Sequence, residues 1–353
     1  GNYEIIPALT TIPGYHAVIA FIANAFDISS LKQIRVVSLL LSSISIWIFY
    51  LIEKRIDNNN SYTKTLQYVF LPLTFFYFPF VYTDIFSLLL VLVSFYFALS
   101  KKYTRSALFA LISLAVRQTN IVWVPFFWLY TYIMENGLLI SAGNIRNHIR
   151  KGAGYVVVAV IFLLFVYLND GVAIGDRNMQ QVGFHSGNVY LFLALVGILF
   201  LPISIDAMRK VDIAFFKSRV AAGIVMGAVT IISFLLFKPA VHAYNQDPLF
   251  LRNIALVLAY GKYVWVYLFA IFWGCITLFL MKFDGKSLLM FPFIFALLIP
   301  SLLVEQRYLI IPMVLILLFR KKNNTGIEYL NAAYFGLLSL ALVWMIFKMN
   351  MFF

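Results

Sequence analysis

Long apolar runs, separated by short polar loops, recur along this chain from residue 36 to residue 348. Only 12% of its 353 residues are charged and 63% are hydrophobic, whereas a soluble domain carries roughly 25% charged residues. A bilayer span needs roughly 20 apolar residues and must satisfy its backbone hydrogen bonds internally, so the pattern predicts an all-α, polytopic membrane protein. We expect one integral-membrane domain over residues 1–353, with about 12 transmembrane helices. The predicted spans are 36–52, 65–82, 84–99, 105–117, 120–134, 152–168, 188–207, 219–237, 263–281, 287–303, 308–320 and 329–348.

Lysine and arginine are distributed unevenly between the predicted loops. Most of the 27 basic residues fall in alternate loops, which the positive-inside rule assigns to the cytoplasm. Membrane topology therefore explains the net charge of +13, and no nucleic-acid partner is expected. The predicted cytoplasmic loops are 53–64, 100–105, 135–151, 208–219, 282–286 and 320–328.

Cysteine and histidine spacing predicts neither an internal disulfide nor a structural metal site. Cys275 is the single cysteine of the chain and lies in an apolar run. No cluster of histidine, cysteine and carboxylate residues has the spacing of metal ligands. We therefore expect no metal and no cofactor.

A polar stretch at Arg117-Gln118-Thr119-Asn120 lies between two apolar runs. A charge at bilayer depth costs several kcal/mol unless it is paired or hydrated, so by default it indicates a functional site. The alternative is a helix end at which Arg117 extends to the lipid headgroups. Four more polar stretches fall on the same basic-poor side, and we expect all five to converge on one non-cytoplasmic face. The four contain Asp84, Asp176-Arg177 with His185, the segment from His242 to Arg252, and Glu305-Gln306-Arg307.

Each of these stretches allows a chemical and a structural interpretation. Arg117 and Arg307 can each bind a phosphate through a planar guanidinium, or can pair with Asp84 and Glu305. Asp176 and Arg177 can form a turn salt bridge, or can place a carboxylate near a sugar hydroxyl and a cation near phosphate. His185 and His242 can act as acid–base groups or as structural hydrogen-bonding residues.

Three classes of protein fit these features: a transferase with a lipid-phosphate donor, a transporter for an anionic or sugar substrate, and a membrane scaffold without chemistry. A transporter typically carries inverted repeats with paired broken helices near the bilayer midplane. The sequence shows no such internal symmetry, and its polar stretches favour one face. The pattern therefore favours the transferase.

Five stretches, taken in order, resemble the dolichyl-phosphate-glucose-dependent alpha-1,2-glucosyltransferase family, which adds the terminal glucose to the lipid-linked oligosaccharide used for N-glycosylation. The resemblance extends from about residue 7 to residue 320. The matching stretches are Thr10-Thr-Ile-Pro-Gly14, Phe76-Tyr-Phe-Pro-Phe-Val-Tyr-Thr-Asp84, Arg117-Gln-Thr-Asn-Ile-Val-Trp123, Gly175-Asp-Arg177 followed by His185, and Glu305-Gln-Arg-Tyr-Leu-Ile-Ile-Pro312.

The resemblance implies an integral-membrane glycosyltransferase of the C class that takes glucose from a polyprenyl (dolichyl) phosphate and transfers it to a lipid-linked glycan with inversion. It also implies a lumenal active site in the endoplasmic reticulum membrane of a eukaryote, or a place in the cytoplasmic membrane of a prokaryote. The predicted catalytic residues are Asp84, Asp176 and His185. The predicted residues for donor phosphate and sugar are Arg117, Gln118, Asn120, Arg177, His242, Glu305 and Arg307.

The sequence departs from the family pattern in two places. The family has an acidic pair after its first membrane helix, the usual base in this class, and this sequence starts after that point. Near His242 the family continues Leu-Ala-Asp-Asn-Arg-His-Tyr, whereas this chain has Tyr244-Asn-Gln-Asp-Pro-Leu-Phe-Leu-Arg-Asn253. A relative that acts on another sugar or on an envelope glycan therefore stays open as an alternative, and so does a polytopic transporter.

Overall fold

The computed structural model describes residues 10–57, 62–175, 182–210, 219–239, 242, 245, 258–259 and 261–349. The described residues are predominantly helical and form two isolated β-bridges, which confirms the all-α prediction. The α-helices are α1 (Gly14–Ala25), α2 (Leu31–Asp57), α3 (Thr63–Val69), α4 (Pro72–Phe75), α5 (Thr83–Leu99), α6 (Tyr103–Leu114), α7 (Trp123–Asn136), α8 (Ala142–Lys151), α9 (Ala153–Leu168), α10 (Gly187–Leu199), α11 (Leu201–Arg209), α12 (Ala221–Leu236), α13 (Val264–Leu280), α14 (Met290–Leu298), α15 (Ile310–Phe319) and α16 (Thr325–Met349). Short 3-10 helices cover Gln118–Val122, Gly285–Leu289 and Gln306–Leu309.

The helices are apolar, but few of them are long enough to cross a bilayer alone. Among the described residues, Leu31–Asp57 and Thr325–Lys348 have the length and composition of a membrane span. Two bent pairs, α8 with α9 and α10 with α11, raise the number to 4 if each pair is one span. The prediction of about 12 spans is therefore not confirmed, although the apolar helices fit a membrane protein.

Proline explains two differences between the predicted spans and the observed helices. The predicted span 65–82 is interrupted because Leu71, which precedes Pro72, is extended with ψ 118°, as the residue before proline usually is. The predicted span 188–207 is bent by 66° between α10 and α11, where Pro202 removes a backbone donor. The sequence therefore predicted both apolar runs correctly, but it did not predict the break or the bend within them.

The chain divides into two compact units. Unit 1 comprises residues 1–60, 77–181 and 285–293, and unit 2 comprises residues 61–76, 182–284 and 294–353. In unit 1, α5 is buried along most of its length, and Phe95 stacks on Phe127 with ring centroids 5.0 Å apart. In unit 2, α10 and α13 pack so closely that a Cβ atom on Gly274 would lie 1.8 Å from the Leu193 carbonyl oxygen. Every residue of α15 is buried.

Candidate functional site

Asp84 and Arg117 form an ion pair in unit 1. Asp84 lies in the first turn of α5, where a carboxylate is favoured by the helix dipole. Arg117 has an extended backbone and precedes the 3-10 helix Gln118–Val122. The Asp84 side chain is 1% exposed and that of Arg117 is 14% exposed. No described residue donates a hydrogen bond to the second carboxylate oxygen, Oδ2 of Asp84.

Asn120 fastens the Arg117 segment to the neighbouring helices. Its Nδ2 donates to the Ser87 hydroxyl at 2.8 Å and to the Ser113 carbonyl at 3.1 Å. The Arg117 backbone N–H also donates to the Ser113 carbonyl, at 2.8 Å. Because Asn120 is buried and its amide is engaged on both α5 and the end of α6, it holds the backbone beside the guanidinium.

Gln118 connects this segment to the start of the described chain. Its Nε2 donates to the Thr10 carbonyl at 3.4 Å, and the Ile174 N–H donates to the same carbonyl at 3.3 Å. Three of the predicted stretches therefore lie together in unit 1, and the loop that continues into Asp176 reaches the same place. Asp176 and Arg177 themselves lie outside the described residues.

Glu305 and Arg307 form a second ion pair, in unit 2. Glu305 precedes the 3-10 helix Gln306–Leu309 and is 4% exposed, whereas the Arg307 side chain is 22% exposed. The ion pair joins Nη2 of Arg307 to Oε2 of Glu305, but this contact does not have the geometry of a hydrogen bond. A buried acid thus holds a partly exposed guanidinium, as in the pair of unit 1.

Two asparagines hold the backbone that leads into Glu305. Asn188, in the first turn of α10, donates to the carbonyls of Ser301 at 3.1 Å and Leu303 at 3.0 Å and accepts from the Glu305 N–H at 3.1 Å. Asn245 donates to the Val304 carbonyl at 3.0 Å and accepts from the Val304 N–H at 2.9 Å. These contacts satisfy the polar groups of a non-helical segment next to the ion pair.

The two predicted histidines also belong to this part of unit 2. The His185 N–H donates to the Ile299 carbonyl at 2.9 Å, so its segment runs alongside the chain that leads to Ser301. His242 is buried, and its carbonyl accepts from the Asn245 N–H at 2.8 Å. Backbone contacts therefore connect His185, His242 and the Glu305 segment.

The structure brings the described site residues into two groups, one in each unit. The group of unit 1 contains Asp84, Arg117, Gln118 and Asn120, and that of unit 2 contains His185, His242, Glu305 and Arg307. Both ion pairs that the sequence left as alternatives to phosphate binding are present. Both guanidiniums are partly exposed, and a guanidinium has five N–H donors, so it can contact more than one acceptor.

Sequence reasoning missed Ser87, Asn188 and Asn245, which hold the charged residues in place. Asn188 and Ser87 lie within predicted apolar spans, so a search for polar residues inside spans would have found them. Asn245 falls in the stretch where the chain departs from the family pattern, and nothing in the sequence indicates its contact with Val304. The described residues contain no group of three or more metal-ligating side chains.

The chain matches the model of the DIE2/ALG10 family over residues 4–139 and 137–318. Relatives include a Drosophila melanogaster protein that is 24% identical over 91% of this chain and 80% of its own length. A Candida albicans protein is 26% identical over 78% of this chain and 65% of its own length, and a Homo sapiens protein is 24% identical over 88% and 77%. Each is named Dol-P-Glc:Glc(2)Man(9)GlcNAc(2)-PP-Dol alpha-1,2-glucosyltransferase.

No solved structure matches the chain. The two family-model matches together extend from the segment before Thr10 to the end of α15, and they include both ion pairs. The chain therefore belongs to the DIE2/ALG10 family.

Proposed function

We propose that this protein is a membrane glucosyltransferase that transfers glucose from dolichyl-phosphate glucose to a lipid-linked oligosaccharide and forms an alpha-1,2 linkage. The observation that carries the proposal is the match to relatives named for this activity, which extends over 91% of the chain for the fly protein and 88% for the human protein. The two ion pairs support it because each holds a partly exposed guanidinium next to non-helical backbone.

In the proposed reaction, the acceptor hydroxyl oxygen forms a bond to the anomeric carbon of glucose. The bond from that carbon to the phosphate oxygen breaks, and dolichyl phosphate leaves with the electron pair. A carboxylate base takes the hydroxyl proton, which is the usual requirement for such an attack. Inversion follows because the oxygen attacks from the side opposite the phosphate.

We assign Arg117 and Arg307 to the charge that develops on the departing phosphate. A positioned cation is most effective when it needs no reorganisation during the reaction, and a buried carboxylate partner supplies this order. Asp84 positions Arg117, and Glu305 positions Arg307. Gln118 and Asn120 hold the backbone around Arg117, while His185 and His242 lie beside the Glu305 segment as candidates for sugar or proton contacts.

We assign Asp176 and Arg177 to the sugar and the phosphate respectively. The assignment is supported by the contact of Ile174 with Thr10, which also accepts from Gln118 of the Arg117 segment. The proposed setting is the lumenal face of the endoplasmic reticulum membrane in a eukaryote, or the outer face of the cytoplasmic membrane in a prokaryote.

The test is a transfer assay with the full-length protein reconstituted in lipid. We expect labelled glucose to move from dolichyl-phosphate glucose to a lipid-linked oligosaccharide, with an alpha-1,2 linkage in the product. A protein with the double change Arg117→Lys and Arg307→Lys, which keeps both positive charges, serves as the inactive control. If the wild-type protein gives no product with any polyprenyl-phosphate sugar, the proposal fails.

A different acceptor is the second candidate, and the departure from the family pattern after His242 favours it. The same assay with other polyprenyl-phosphate sugars and acceptors separates the two: product with another sugar and none with glucose assigns the alternative. Substrate counterflow in proteoliposomes without product formation would instead assign a transporter.

A further inference from the structure

Unit 1 contains a basic cavity of about 520 Å³ at the turn between α5 and α6. Lys101, Lys102 and Arg105 line it from that turn and from the first turn of α6, and Lys151 lines it from the end of α8. Tyr103, Thr104 and Glu135 complete the lining. Four cations against one carboxylate give the cavity a net positive charge.

The one carboxylate is already engaged. Glu135 accepts from the Tyr103 hydroxyl at 2.6 Å and from Lys151 Nζ at 3.1 Å. Burial acts to raise the pKa of Glu135, but the hydrogen bonds from Tyr103 and Lys151 and the nearby positive charges outweigh it and hold the pKa below its usual range. Glu135 therefore stays ionised at neutral pH and neutralises Lys151. No described carboxylate pairs with Lys101, Lys102 or Arg105.

The backbone at the cavity favours an anion in addition to the side chains. The N-cap residue of α6, Lys102, makes no side-chain cap hydrogen bond, and the first turn of α6 has no acidic residue. The first N–H groups of a helix have no partner within the helix and attract phosphate oxygens. The 12-residue helix α6 thus presents donors at the wall that already carries Arg105.

The cavity is separate from the Arg117–Asp84 pair. Both α5 and α6 run between them, because Asp84 begins α5 and Arg117 follows α6, while the cavity lies at the opposite end of both helices. At roughly 1.5 Å per residue, the 17 residues of α5 and the 12 of α6 span about 25 Å and about 18 Å. One end carries the proposed reaction residues, and the other carries the basic cavity.

The surroundings of the cavity indicate a membrane surface. Leu138, Leu139 and Ile140 follow α7 and are 85%, 74% and 83% exposed. Helix α8, which follows them, carries exposed Arg146 and Arg150, and it is bent by 70° from the apolar helix α9. Because basic side chains favour the lipid headgroups, we place α8 near the bilayer plane and the exposed apolar side chains before it at the acyl boundary.

We propose that the basic cavity binds the phosphorylated headgroup of an anionic lipid. Three features of the site match three parts of such a ligand. The cations match its negative charge, the helix N–H donors match its phosphate oxygens, and the neighbouring apolar side chains match its acyl chains. Soluble phosphate esters have the same phosphate chemistry, but they lack acyl chains that would contact the exposed apolar residues. The inference is independent of the proposed transferase activity.

The experiment measures binding to the purified full-length protein in detergent by native mass spectrometry. The probes are dioctanoyl phosphatidic acid, dioctanoyl phosphatidylcholine, which has the same chains and no net charge, and glycerol 3-phosphate, which has the headgroup without chains. We expect saturable binding of phosphatidic acid and much weaker binding of the other two.

The variant Lys101→Gln/Lys102→Gln/Arg105→Gln removes the unpaired cations, and we expect it to bind phosphatidic acid at least about tenfold more weakly. The matched control, Lys32→Gln/Arg209→Gln/Lys282→Gln, loses the same charge at exposed positions outside the cavity and should bind like the wild type. If the triple variant does not fold, Arg105→Gln alone should show a smaller loss in the same direction.

Three results would overturn the proposal. Equal weakening in the control would assign the binding to general surface charge, and equal binding of phosphatidylcholine would assign it to the acyl chains. Binding of glycerol 3-phosphate as tight as that of phosphatidic acid, and lost in the same variant, would assign the cavity to a soluble phosphate ester.

Discussion

At the scale of single residues, the two arginines of the proposed reaction depend on buried carboxylates. Leaving a buried acid without its cation is costly, so substitutions that remove the charge of Arg117 or Arg307 also disturb Asp84 or Glu305. Lysine is the more informative replacement, because it keeps the positive charge and removes the planar set of donors.

We expect both Arg117→Lys and Arg307→Lys to fold and to lose most of their transfer activity. The loss of one positioned donor in a transition state costs roughly 2–4 kcal/mol, which sets the scale for each variant. The measurement is kcat/KM with dolichyl-phosphate glucose, and Arg209→Lys at an exposed position is the control. Turnover like that of the wild type in both variants would remove these arginines from the reaction.

Asp176 gives a second prediction at this scale. A carboxylate can accept hydrogen bonds from sugar hydroxyls at both of its oxygens, whereas an amide offers one oxygen acceptor and two N–H donors. We expect Asp176→Asn to fold normally and to lose turnover by roughly tenfold or more, which corresponds to about 1.4 kcal/mol.

A structural turn at Asp176 predicts a different outcome. Asparagine retains much of the capping ability of aspartate, so turnover would stay near normal in Asp176→Asn and only Asp176→Ala would lose stability. Thermal unfolding of both variants, measured beside turnover, separates the two roles. Normal turnover in folded Asp176→Asn protein would end the catalytic assignment.

At the scale of elements, a buried polar network joins α3, α15 and α16 in unit 2. Arg320 donates to the Glu328 carboxylate through Nη1 at 2.8 Å and Nη2 at 2.5 Å, and Gln67 bonds to both residues. Arg320 and Glu328 are each 1% exposed. The sequence places both residues in a predicted cytoplasmic loop, and the structure buries them because the two ends of this loop fold back onto α3.

We expect Arg320→Met and Glu328→Gln each to lower the free energy of unfolding by roughly 3–5 kcal/mol, because each change leaves a buried charge without its partner. The double variant Arg320→Met/Glu328→Gln should lose clearly less than the sum. Denaturant titration in mixed micelles gives the four values of the cycle. Additive losses would contradict a coupled network.

The pair formed by Lys321 and Asp284 provides the control for this cycle. Its Nζ and Oδ1 atoms lie 2.7 Å apart, but the two side chains are 54% and 49% exposed. An exposed pair contributes about 0–1 kcal/mol because water screens it, so Asp284→Asn should change the stability little.

At the scale of the whole molecule, the two ion pairs and the predicted basic loops lie apart within each unit. In unit 1, Arg55 of α2 contacts Tyr96 near the end of α5, at the same end as the basic cavity, and the Asp84–Arg117 pair lies at the other end. In unit 2, α15 runs from the Glu305 segment to Arg320. The predicted basic loops and the residues of the proposed reaction thus lie at opposite helix ends in both units.

Membrane sidedness stays a prediction, and single-cysteine labelling tests it. In a Cys275→Ala background, we expect Asn147→Cys to resist an impermeant thiol reagent that is confined to the non-cytoplasmic side and Phe184→Cys to react, since both positions are exposed and lie in loops of opposite predicted sides. Opening the membrane should make Asn147→Cys reactive. Efficient labelling of Asn147→Cys from the non-cytoplasmic side would overturn the sidedness.

The sequence by itself determined the class of this protein. Apolar runs predict helices in a bilayer because every span must satisfy its own backbone, and charges inside such runs indicate functional residues because burial in lipid is costly. Asp84, Arg117, Glu305 and Arg307 were selected as candidates in this way, and the resemblance, now supported by family membership, added the proposed chemistry.

Only the tertiary structure decided which groups contact which. Several of these contacts join residues that are far apart in the chain, and no local pattern encodes such pairs. Examples are the contacts of Gln118 and Ile174 with Thr10, and the hydrogen bonds of Asn188 to the Glu305 segment. The burial of Arg320 also depends on contacts that the local sequence does not show. Hydropathy also did not predict where helices break, because an apolar run stays apolar across a break such as the one before Pro72. The composition of a segment indicates whether it prefers lipid or water, whereas its contacts depend on how the helices pack.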